Sequence, residues 1–356
     1  MRSAASFALA RGAARVEAGD AEPGTQVTAQ DLIESLREVP AASGRRQSEL
    51  VRRYETHGVA RLSGNAMLLD ELQRFIRPPP PGGAPRVESL LLTAGGRGSG
   101  VTALAAWAAA QAMESAAVDY ARVVSMAELA GASDEGARCG ALAEVFAEAA
   151  QAGSAVLVLD DVDRITAGHG PDGASPALLG TLRALLRMPL RRDPSALKHK
   201  APMMLVIATT SSGRAACTFL EGIFDTVRIA PLVASASDAE HLLRTSPSVG
   251  LHPSSVGSCA ASAVEGGALG AKTILALASR AASQVAWEDG MQAQEEGAGV
   301  GGSGGSTRTE IDDSGGSGGS GSGSSGVGVR QEDAMTRLVA EWRLQEDAAS
   351  SSCGMY

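Results

Sequence analysis

The sequence predicts an α/β fold, in which a parallel sheet of five strands is covered by helices on both faces. Short continuous apolar runs are typical of strands that are buried on both sides of a sheet. Such runs fall at residues 87–93, 120–125, 155–159, 203–208 and 226–229. Helical patterns lie between them, at residues 102–117, 138–152 and 177–188. This alternation favours a parallel sheet, because each strand must return to the same edge through a crossover helix.

A small α-helical lid is predicted after the sheet. Helical patterns cover residues 236–244 and 272–285. Residues 297–329 are mostly glycine and serine, so they lack the apolar surface needed to fold and are predicted to form a flexible tether. Residues 333–346 regain helical periodicity, and we expect this last helix to dock on the lid.

A glycine-rich loop follows the first predicted strand and opens the first predicted helix. It consists of Gly95, Gly96, Arg97, Gly98, Ser99, Gly100, Val101 and Thr102. Its spacing matches the phosphate-binding pattern Gly-x-x-x-x-Gly-Lys-Ser/Thr at every fixed position except one, because Val101 stands where the pattern has lysine. We interpret the loop as a nucleotide site of the P-loop type; the alternative is a glycine-rich turn without a ligand.

The missing lysine is the main defect of this glycine loop. Glycines let backbone amides approach phosphate oxygens closely, and the helix N-terminus adds its positive end. Thr102 supplies the hydroxyl that completes a magnesium shell. A lysine about 4 Å from a phosphate oxygen is worth roughly 4 kcal/mol at an effective dielectric constant near 20, before desolvation is subtracted. We therefore expect ATP affinity and turnover to suffer, with Arg97 compensating in part.

Acidic residues follow the third predicted strand. The apolar run 155–159 ends in Asp160, Asp161, Val162 and Asp163, and ligands of open α/β sheets bind at the carboxyl ends of the strands. We assign Asp160 to magnesium, and Asp161 to orienting or deprotonating the attacking water. A solvated acidic turn is the alternative, and it is the weaker one because the glycine loop lies upstream in the expected order.

Small hydroxyls follow the fourth predicted strand, which ends in Thr209, Thr210 and Ser211. At that place they can contact a γ-phosphate or a water molecule, and a plain strand-to-loop transition is the alternative. The order of the three strand ends, first glycines, then aspartates, then hydroxyls, is more informative than any one of them.

These motifs resemble those of the vesicle-fusing ATPases, the family of N-ethylmaleimide-sensitive factor within the AAA group. Residues 160–164 (Asp-Asp-Val-Asp-Arg) are similar to the Asp-Asp-Ile-Glu-Arg that ends a strand in the family's second ATPase domain. Residues 208–211 (Ala-Thr-Thr-Ser) are similar to the family's Gly-Thr-Thr-Ser, which places Ser211 at the sensor position. Lys272, at the start of a lid helix, resembles the family's sensor lysine that contacts nucleotide.

The resemblance extends beyond the sheet. Residues 224–231 look like the strand that leaves the family's ATPase core, and residues 3–15 and 27–36 resemble the end of its first ATPase domain. The similarity runs from about residue 3 to residue 285 and resumes near residues 330–346. The family's SNAP-binding N-terminal domain and nearly all of its first ATPase domain have no counterpart in this sequence.

The resemblance implies an AAA module that binds ATP and Mg²⁺ and belongs to a hexameric ring that disassembles SNARE complexes. In this family the second ATPase domain binds ATP mainly to hold the hexamer together. The residues implied as nucleotide ligands are those of the glycine loop and Lys272, the metal ligands are Thr102 and Asp160, and the catalytic residues are Asp161 and Ser211. The resemblance further implies a cytoplasmic protein, peripheral to transport vesicles and Golgi membranes, whose SNAP and SNARE partners are reached through the domains without a counterpart here.

Three departures from the family predict weak or slow hydrolysis. Val101 replaces the lysine, and Asp161 is one methylene shorter than the glutamate of active AAA modules. No arginine lies between Arg214 and Phe224, where an arginine finger is expected. A catalytically dead AAA scaffold that supports ring assembly is therefore the alternative function. A P-loop ATPase of signalling or DNA replication is a third option, disfavoured by the family motifs and the acidic charge.

The predicted division of the chain follows from these segments. It comprises a remnant of a preceding ATPase lid (1–44), a linker and N-terminal helix with a proline-rich break (45–86), the AAA α/β core (87–235), the helical lid (236–290), the Gly/Ser-rich tether (291–329) and a C-terminal helix (330–348).

Composition excludes several classes of function. A net charge of −9 argues against nonspecific nucleic-acid binding. The 4 cysteines show no disulfide spacing, which is typical of reduced cytosolic thiols. Neither they nor the 5 histidines show the spacing of metal ligands. The sequence has no apolar run of about 18 residues, so no transmembrane helix is predicted. Residues 1–16 contain arginines and no acid, as in a transit peptide, but they also match the family helix, which we favour.

Overall fold

A computed structural model of the chain describes residues 27–29, 54, 58–80, 84–129, 134–168, 173–190, 202–211, 218–298 and 324–353. The predicted segments 1–16 and 30–36 lie outside these residues, as do Arg214 and the tether from residue 299 to residue 323.

The described strands form one sheet in which every neighbouring pair is parallel. The strands are β1 Arg86–Ala94, β2 Tyr120–Val124, β3 Ser154–Leu159, β4 Met203–Thr210 and β5 Thr226–Ala230. Their spatial order is β2-β3-β4-β1-β5. The predicted five-stranded parallel sheet is therefore confirmed.

The register brings three strand ends to one edge of the sheet. Ala208 of β4 lies level with Leu91 of β1 and with Leu159 of β3. All residues of β3 and β4 are buried, as the continuous apolar runs predict for the centre of a parallel sheet. The glycine loop, the aspartates and the hydroxyls therefore emerge side by side at the carboxyl edge, where open α/β sheets bind ligands.

Helices cover both faces of this sheet. They are α1 Ala66–Phe75, α2 Val101–Glu114, α3 Met126–Leu129, α4 Glu135–Gln151, α5 Val162–Ile165, α6 Pro176–Leu186 and α7 Thr218–Glu221. Alternate residues of a strand point to opposite faces. Leu90 and Leu92 accordingly join a first core with α1 and α2, whereas Leu91 joins a second core with α4 and α6. Phe146 is fully buried in the second core.

A helical lid follows β5 and has its own apolar core. Its helices are α8 Ala236–Thr245, α9 Val256–Val264, α10 Ala271–Ala298 and α11 Ser324–Cys353. Helix α10 extends beyond the predicted end at residue 285, and α11 begins before the predicted start at residue 333. Both ends of the predicted Gly/Ser-rich tether (291–329), residues 291–298 and 324–329, are therefore helical. Within the described residues, no helix combines the length and the hydropathy needed to cross a bilayer.

Helix α11 docks on the lid, as predicted. Met335, Leu338 and Val339 are buried in the lid core. The Gln331 side-chain oxygen accepts hydrogen bonds from the His252 amide at 2.8 Å and from the Ser255 hydroxyl at 2.7 Å. Apolar burial holds the middle of the helix, and these polar contacts hold its beginning.

Met335→Asp is expected to destabilise the chain by about 3 kcal/mol, because it places a carboxylate in an apolar core. Met335 is 0% exposed, whereas Leu344 on the same helix is 71% exposed. Leu344→Asp is therefore the matched control, and it should change the free energy of unfolding by less than about 0.5 kcal/mol. Urea unfolding followed by circular dichroism measures both variants; equal stabilities would contradict the docking of α11.

Candidate nucleotide site

A cavity of about 780 Å³ lies at the carboxyl edge of the sheet. Four parts of the chain supply most of its lining: the glycine loop, the ends of β3 and β4, the lid, and a segment before α1 that we call the strap, residues 58–65. The size suits a small-molecule ligand. The sequence-predicted residues that line it are Gly96, Arg97, Gly98, Ser99, Gly100, Val101, Thr102, Asp160, Asp161, Ser211 and Lys272.

Gly95 is the one predicted ligand of the nucleotide that does not line the cavity. Its amide donates a hydrogen bond of 2.9 Å to the Ala230 carbonyl of β5. A Cβ at this position would lie 2.5 Å from the same carbonyl oxygen. The glycine is therefore explained by close pairing of β1 with β5, and the assignment of Gly95 as a ligand of the nucleotide is corrected.

The loop ends in a helix N-terminus that lacks a side-chain cap. Gly98 and Gly100 adopt positive φ values of 71° and 81°, which favour glycine. Gly100 is the N-cap residue of α2, and no side chain accepts from the first amides of this helix. The Ser99 hydroxyl is buried and has no hydrogen-bond partner within the described part of the chain. Uncapped amides and an unpaired buried hydroxyl are the donors that an anion such as phosphate needs.

Val101 brings no charge to this anion site. Its side chain is 6% exposed and belongs to the first apolar core beneath the loop. The position also lines the cavity, so a longer side chain here has access to the ligand space. The loop is thus formed correctly around an apolar residue at the lysine position.

A hydrogen-bond network joins the loop to the two neighbouring strands. The Thr102 hydroxyl donates to Asp160 Oδ1 at 2.7 Å, and the Thr209 hydroxyl donates to the same oxygen at 2.8 Å. The Asp161 amide in turn donates to Thr209 Oγ1 at 3.1 Å. The network fixes a hydroxyl and a carboxylate side by side, and both are hard oxygen ligands of the kind that Mg²⁺ prefers. The role of Thr209 in this network is to hold the Asp160 carboxylate in place.

Asp161 is held in an uncommon backbone conformation at the start of α5. Its φ and ψ are 52° and 57°, the left-handed region, which aspartate tolerates better than most residues. Its carboxylate Oδ2 lies 3.7 Å from Arg164 Nε, and both side chains line the cavity. Ser211 is exposed at the rim of the same cavity. The two predicted catalytic residues are thus present in the site, and Asp161 has a cation beside it.

The lid meets the glycine loop through its backbone. At the start of α10, the Lys272 amide donates to the Gly98 carbonyl at 2.8 Å. The Thr273 hydroxyl donates to the Arg97 carbonyl at 3.4 Å. The Lys272 side chain is exposed and lines the cavity. These contacts couple the position of the lid to the shape of the glycine loop.

The strap was not anticipated from the sequence, although it forms one wall of the cavity. Asn65 holds the backbone of the strap in a turn, because its side chain accepts from the Leu62 amide at 2.8 Å and donates to the Ala60 carbonyl at 3.0 Å. Ser63 fastens it to the lid, since its amide and hydroxyl donate to the Asp238 carboxylate at 2.9 and 2.5 Å. An Asn three residues after the apolar Leu62 is a local turn signal, but the Ser63–Asp238 pairing has no sequence signature.

The strap–lid contact is strongest when Asp238 is ionised. Burial opposes its ionisation, but hydrogen bonds from Ser63 and Gly64 outweigh burial and lower the pKa of Asp238 below its ordinary value. A lowered pKa means that the carboxylate stabilises the folded state at neutral pH and that this stabilisation is lost as the pH falls through the folded-state pKa. The strap is therefore tied to the lid under ordinary conditions.

The described residues contain no group of three or more His, Cys, Asp or Glu side chains that could hold a metal ion by themselves. Mg²⁺ does not require such a group, because it keeps several waters and is bound through one or two protein oxygens together with substrate phosphates. Thr102 and Asp160 therefore fit a magnesium ion that arrives with a nucleotide.

Comparison with known proteins agrees with this geometry. Residues 91–229 match the model of the ATPase family associated with various cellular activities (AAA). No curated protein matches the chain. The matched segment extends from β1 to β5 and includes the glycine loop, both aspartates and Ser211. AAA domains bind nucleotide, generally with Mg²⁺, and commonly assemble into rings. The parallel sheet and this match together support an AAA-family member, with the α/β fold of an AAA-type P-loop NTPase.

Proposed function

We propose that this chain is an AAA module that binds Mg²⁺–ATP weakly and hydrolyses it slowly. The observation that carries the proposal is the 2.7 Å hydrogen bond from Thr102 to Asp160, at the mouth of an uncapped helix N-terminus. A P-loop hydroxyl beside a strand-end carboxylate is the arrangement that holds the metal of a nucleoside triphosphate in P-loop NTPases.

Different residues of the cavity bind different parts of Mg²⁺–ATP. The amides of the loop and the Ser99 hydroxyl bind phosphate oxygens, and Lys272 approaches from the lid. Thr102 and Asp160 hold Mg²⁺, which neutralises negative charge on the phosphates when it is bound. Asp161 and Ser211 position the attacking water. The strap completes the wall beside the lid, to which Ser63 fastens it, and shields the ligand from solvent.

Two features limit affinity and turnover. Val101 supplies neither charge nor hydrogen bond to the phosphates. Asp161 is shorter than glutamate and has Arg164 beside its carboxylate, 3.7 Å away. Binding without rapid hydrolysis is the behaviour that this combination supports.

Val101→Lys is expected to tighten Mg²⁺–ATP binding at least about tenfold, equivalent to about 1.4 kcal/mol. The stem of the lysine occupies the apolar space of Val101, and its ammonium reaches the cavity that position 101 lines. Tenfold is a fraction of the Coulomb estimate, since part of the gain is lost to desolvation. Isothermal titration of Mg²⁺–ATP into the full chain and the variant measures the change.

Ser115→Lys is the matched control for this experiment, because it adds the same charge to an exposed position at the far end of α2. It should leave ATP affinity unchanged. If neither the parent chain nor Val101→Lys bound Mg²⁺–ATP at millimolar concentration, the proposed function would be wrong. If both bound it equally well, the glycine loop would not be holding phosphate.

At a finer level, we propose that the module serves a vesicle-fusing ATPase that disassembles SNARE complexes in vesicle-mediated transport. The order of the strand-end motifs at 95–102, 160–164 and 208–211 supports this, together with Lys272 at the lid. The working form is a homohexameric ring in the cytoplasm, peripheral to transport vesicles and Golgi membranes. The family resemblance assigns the contacts with SNAP and SNARE proteins to other domains of that family, which have no counterpart in this sequence.

The alternative is a catalytically dead scaffold that keeps the ring interfaces without using ATP, and the replaced lysine favours it. Sedimentation of the chain with and without Mg²⁺–ATP separates the two functions. An ATP-binding module is expected to be a monomer alone and to shift partly toward a hexamer with Mg²⁺–ATP, because a ligand that prefers the ring stabilises it by mass action. A hexamer that is indifferent to nucleotide would identify a scaffold, and a monomer under all conditions would contradict ring assembly by this chain.

A further inference from the structure

The phosphate end of the cavity lacks the cation that its loop pattern specifies. Val101, which stands at the lysine position, is apolar and buried in the core beneath the loop. Among the described residues that line the cavity, the cationic ones are Arg97, Arg164 and Lys272. Besides the proposed Mg²⁺, these three are the described side chains of the cavity that can give a polyphosphate a positive partner.

Arg164 differs from the other two in its connection to the metal and phosphate end of the site. Its Nε lies 3.7 Å from Asp161 Oδ2. The Asp161 amide bonds to Thr209 Oγ1, and Thr209 shares Asp160 Oδ1 with the Thr102 hydroxyl. A continuous chain of polar contacts thus runs from the loop hydroxyl to the guanidinium. Arg97 and Lys272 lie on the lid side, where their backbone groups join the loop to α10.

The ion pair with Asp161 leaves the guanidinium available to a ligand. A separation of 3.7 Å is too long for a hydrogen bond, so this contact consumes none of the five N–H donors of the arginine. The side chain is also 69% exposed and can turn toward the cavity. Asp161 therefore keeps the cation at the site without saturating it, and a phosphate oxygen offers stronger, charge-assisted hydrogen bonds.

We propose that Arg164 binds the terminal phosphate of a nucleoside triphosphate in this cavity and supplies the positive charge that Val101 does not. The inference rests on the proposed nucleotide binding. The guanidinium lies beside Asp161, the residue assigned to the attacking water. Because that water attacks the terminal phosphate, the phosphate nearest to Arg164 is the terminal one. Arg164 consequently discriminates a triphosphate from a diphosphate.

The test is a set of equilibrium titrations with N-methylanthraniloyl-ATP and N-methylanthraniloyl-ADP in the presence of Mg²⁺. The full chain is compared with Arg164→Ala, Arg97→Ala, Val101→Lys and the double variant Val101→Lys/Arg164→Ala. Arg164→Ala is expected to weaken binding of the triphosphate about tenfold and of the diphosphate less than about threefold. With lysine at position 101, the same substitution should weaken triphosphate binding less than about threefold, because the lysine then supplies the charge.

Arg244→Ala is the matched control. Arg244 is also a half-exposed helical arginine paired with a carboxylate, Glu240 at 2.7 Å, and it does not line the cavity. Its loss changes the net charge equally and should leave both affinities unchanged.

Three outcomes would overturn the inference while nucleotide binding stands: unchanged triphosphate affinity in Arg164→Ala, an equal loss with valine and with lysine at position 101, or a loss in Arg97→Ala alone. Absence of binding in every variant, including Val101→Lys, would overturn the proposed function as well. A loss confined to the triphosphate and rescued by lysine at position 101 supports the assignment.

Discussion

Asp160→Ala is expected to weaken Mg²⁺–ATP binding by about a hundredfold and to abolish the effect of Mg²⁺ on that binding. The carboxylate is the acidic member of the proposed metal site, and its Oδ1 accepts from both Thr102 and Thr209. Its removal takes away a metal ligand and also leaves two hydroxyls without their acceptor. Titration of ATP with Mg²⁺, and again with a chelator in its place, separates the metal contribution from the rest.

Thr209→Val is the control for the hydrogen-bond network in this experiment. It removes one donor to Asp160 but no proposed metal ligand, so affinity should fall less than about tenfold while the Mg²⁺ dependence persists. Asp160→Ala binding that remained sensitive to Mg²⁺ would contradict the assignment of Asp160. Equal losses in the two variants would indicate that Asp160 acts through its hydrogen bond with Thr209 and not as a metal ligand.

The parts of the site that could be predicted from the sequence are those whose functional residues directly follow a strand. Glycines after β1, aspartates after β3 and Ser211 after β4 are marked by abrupt changes from apolar to small or acidic residues. Parallel pairing then forces them to one edge, so their proximity follows once the strands are recognised. The exception, Gly95, has the glycine signature for a different reason, the close approach of β5.

The parts that sequence missed depend on long-range contacts or on small side chains. Ser63 and Asp238 are 175 residues apart, and neither belongs to a motif. Helix α9 contains only valine, glycine, serine, cysteine and alanine, so it has no large apolar side chains from which a helical period can be read. Arg164 was recognised only as part of a motif, because its relation to Asp161 and the cavity depends on the turn that starts α5.

Gly270→Ala is expected to destabilise the chain by about 3 kcal/mol and to weaken ATP binding at least about tenfold. A Cβ on Gly270 would lie 2.2 Å from the Gly98 carbonyl carbon and 2.3 Å from the Arg97 carbonyl oxygen. These are backbone atoms of the glycine loop, so no side chain can move aside to relieve the contact. Either the lid separates from the loop or the loop loses the shape that presents its amides to phosphate.

The matched control is Gly257→Ala in lid helix α9, where a Cβ meets no atom within 4 Å. Alanine is the better helix former, so this variant should gain up to about 1 kcal/mol and bind ATP as the parent does. Urea unfolding and Mg²⁺–ATP titration are measured on both. Gly98 meets α10 at the same contact, because a Cβ on Gly98 would lie 2.1 Å from Thr273 Oγ1, so Gly98→Ala should reproduce the losses of Gly270→Ala. Gly270→Ala with normal stability and normal ATP affinity would show that the lid and the glycine loop are not in direct contact, and the coupling of lid position to phosphate binding would have to be abandoned.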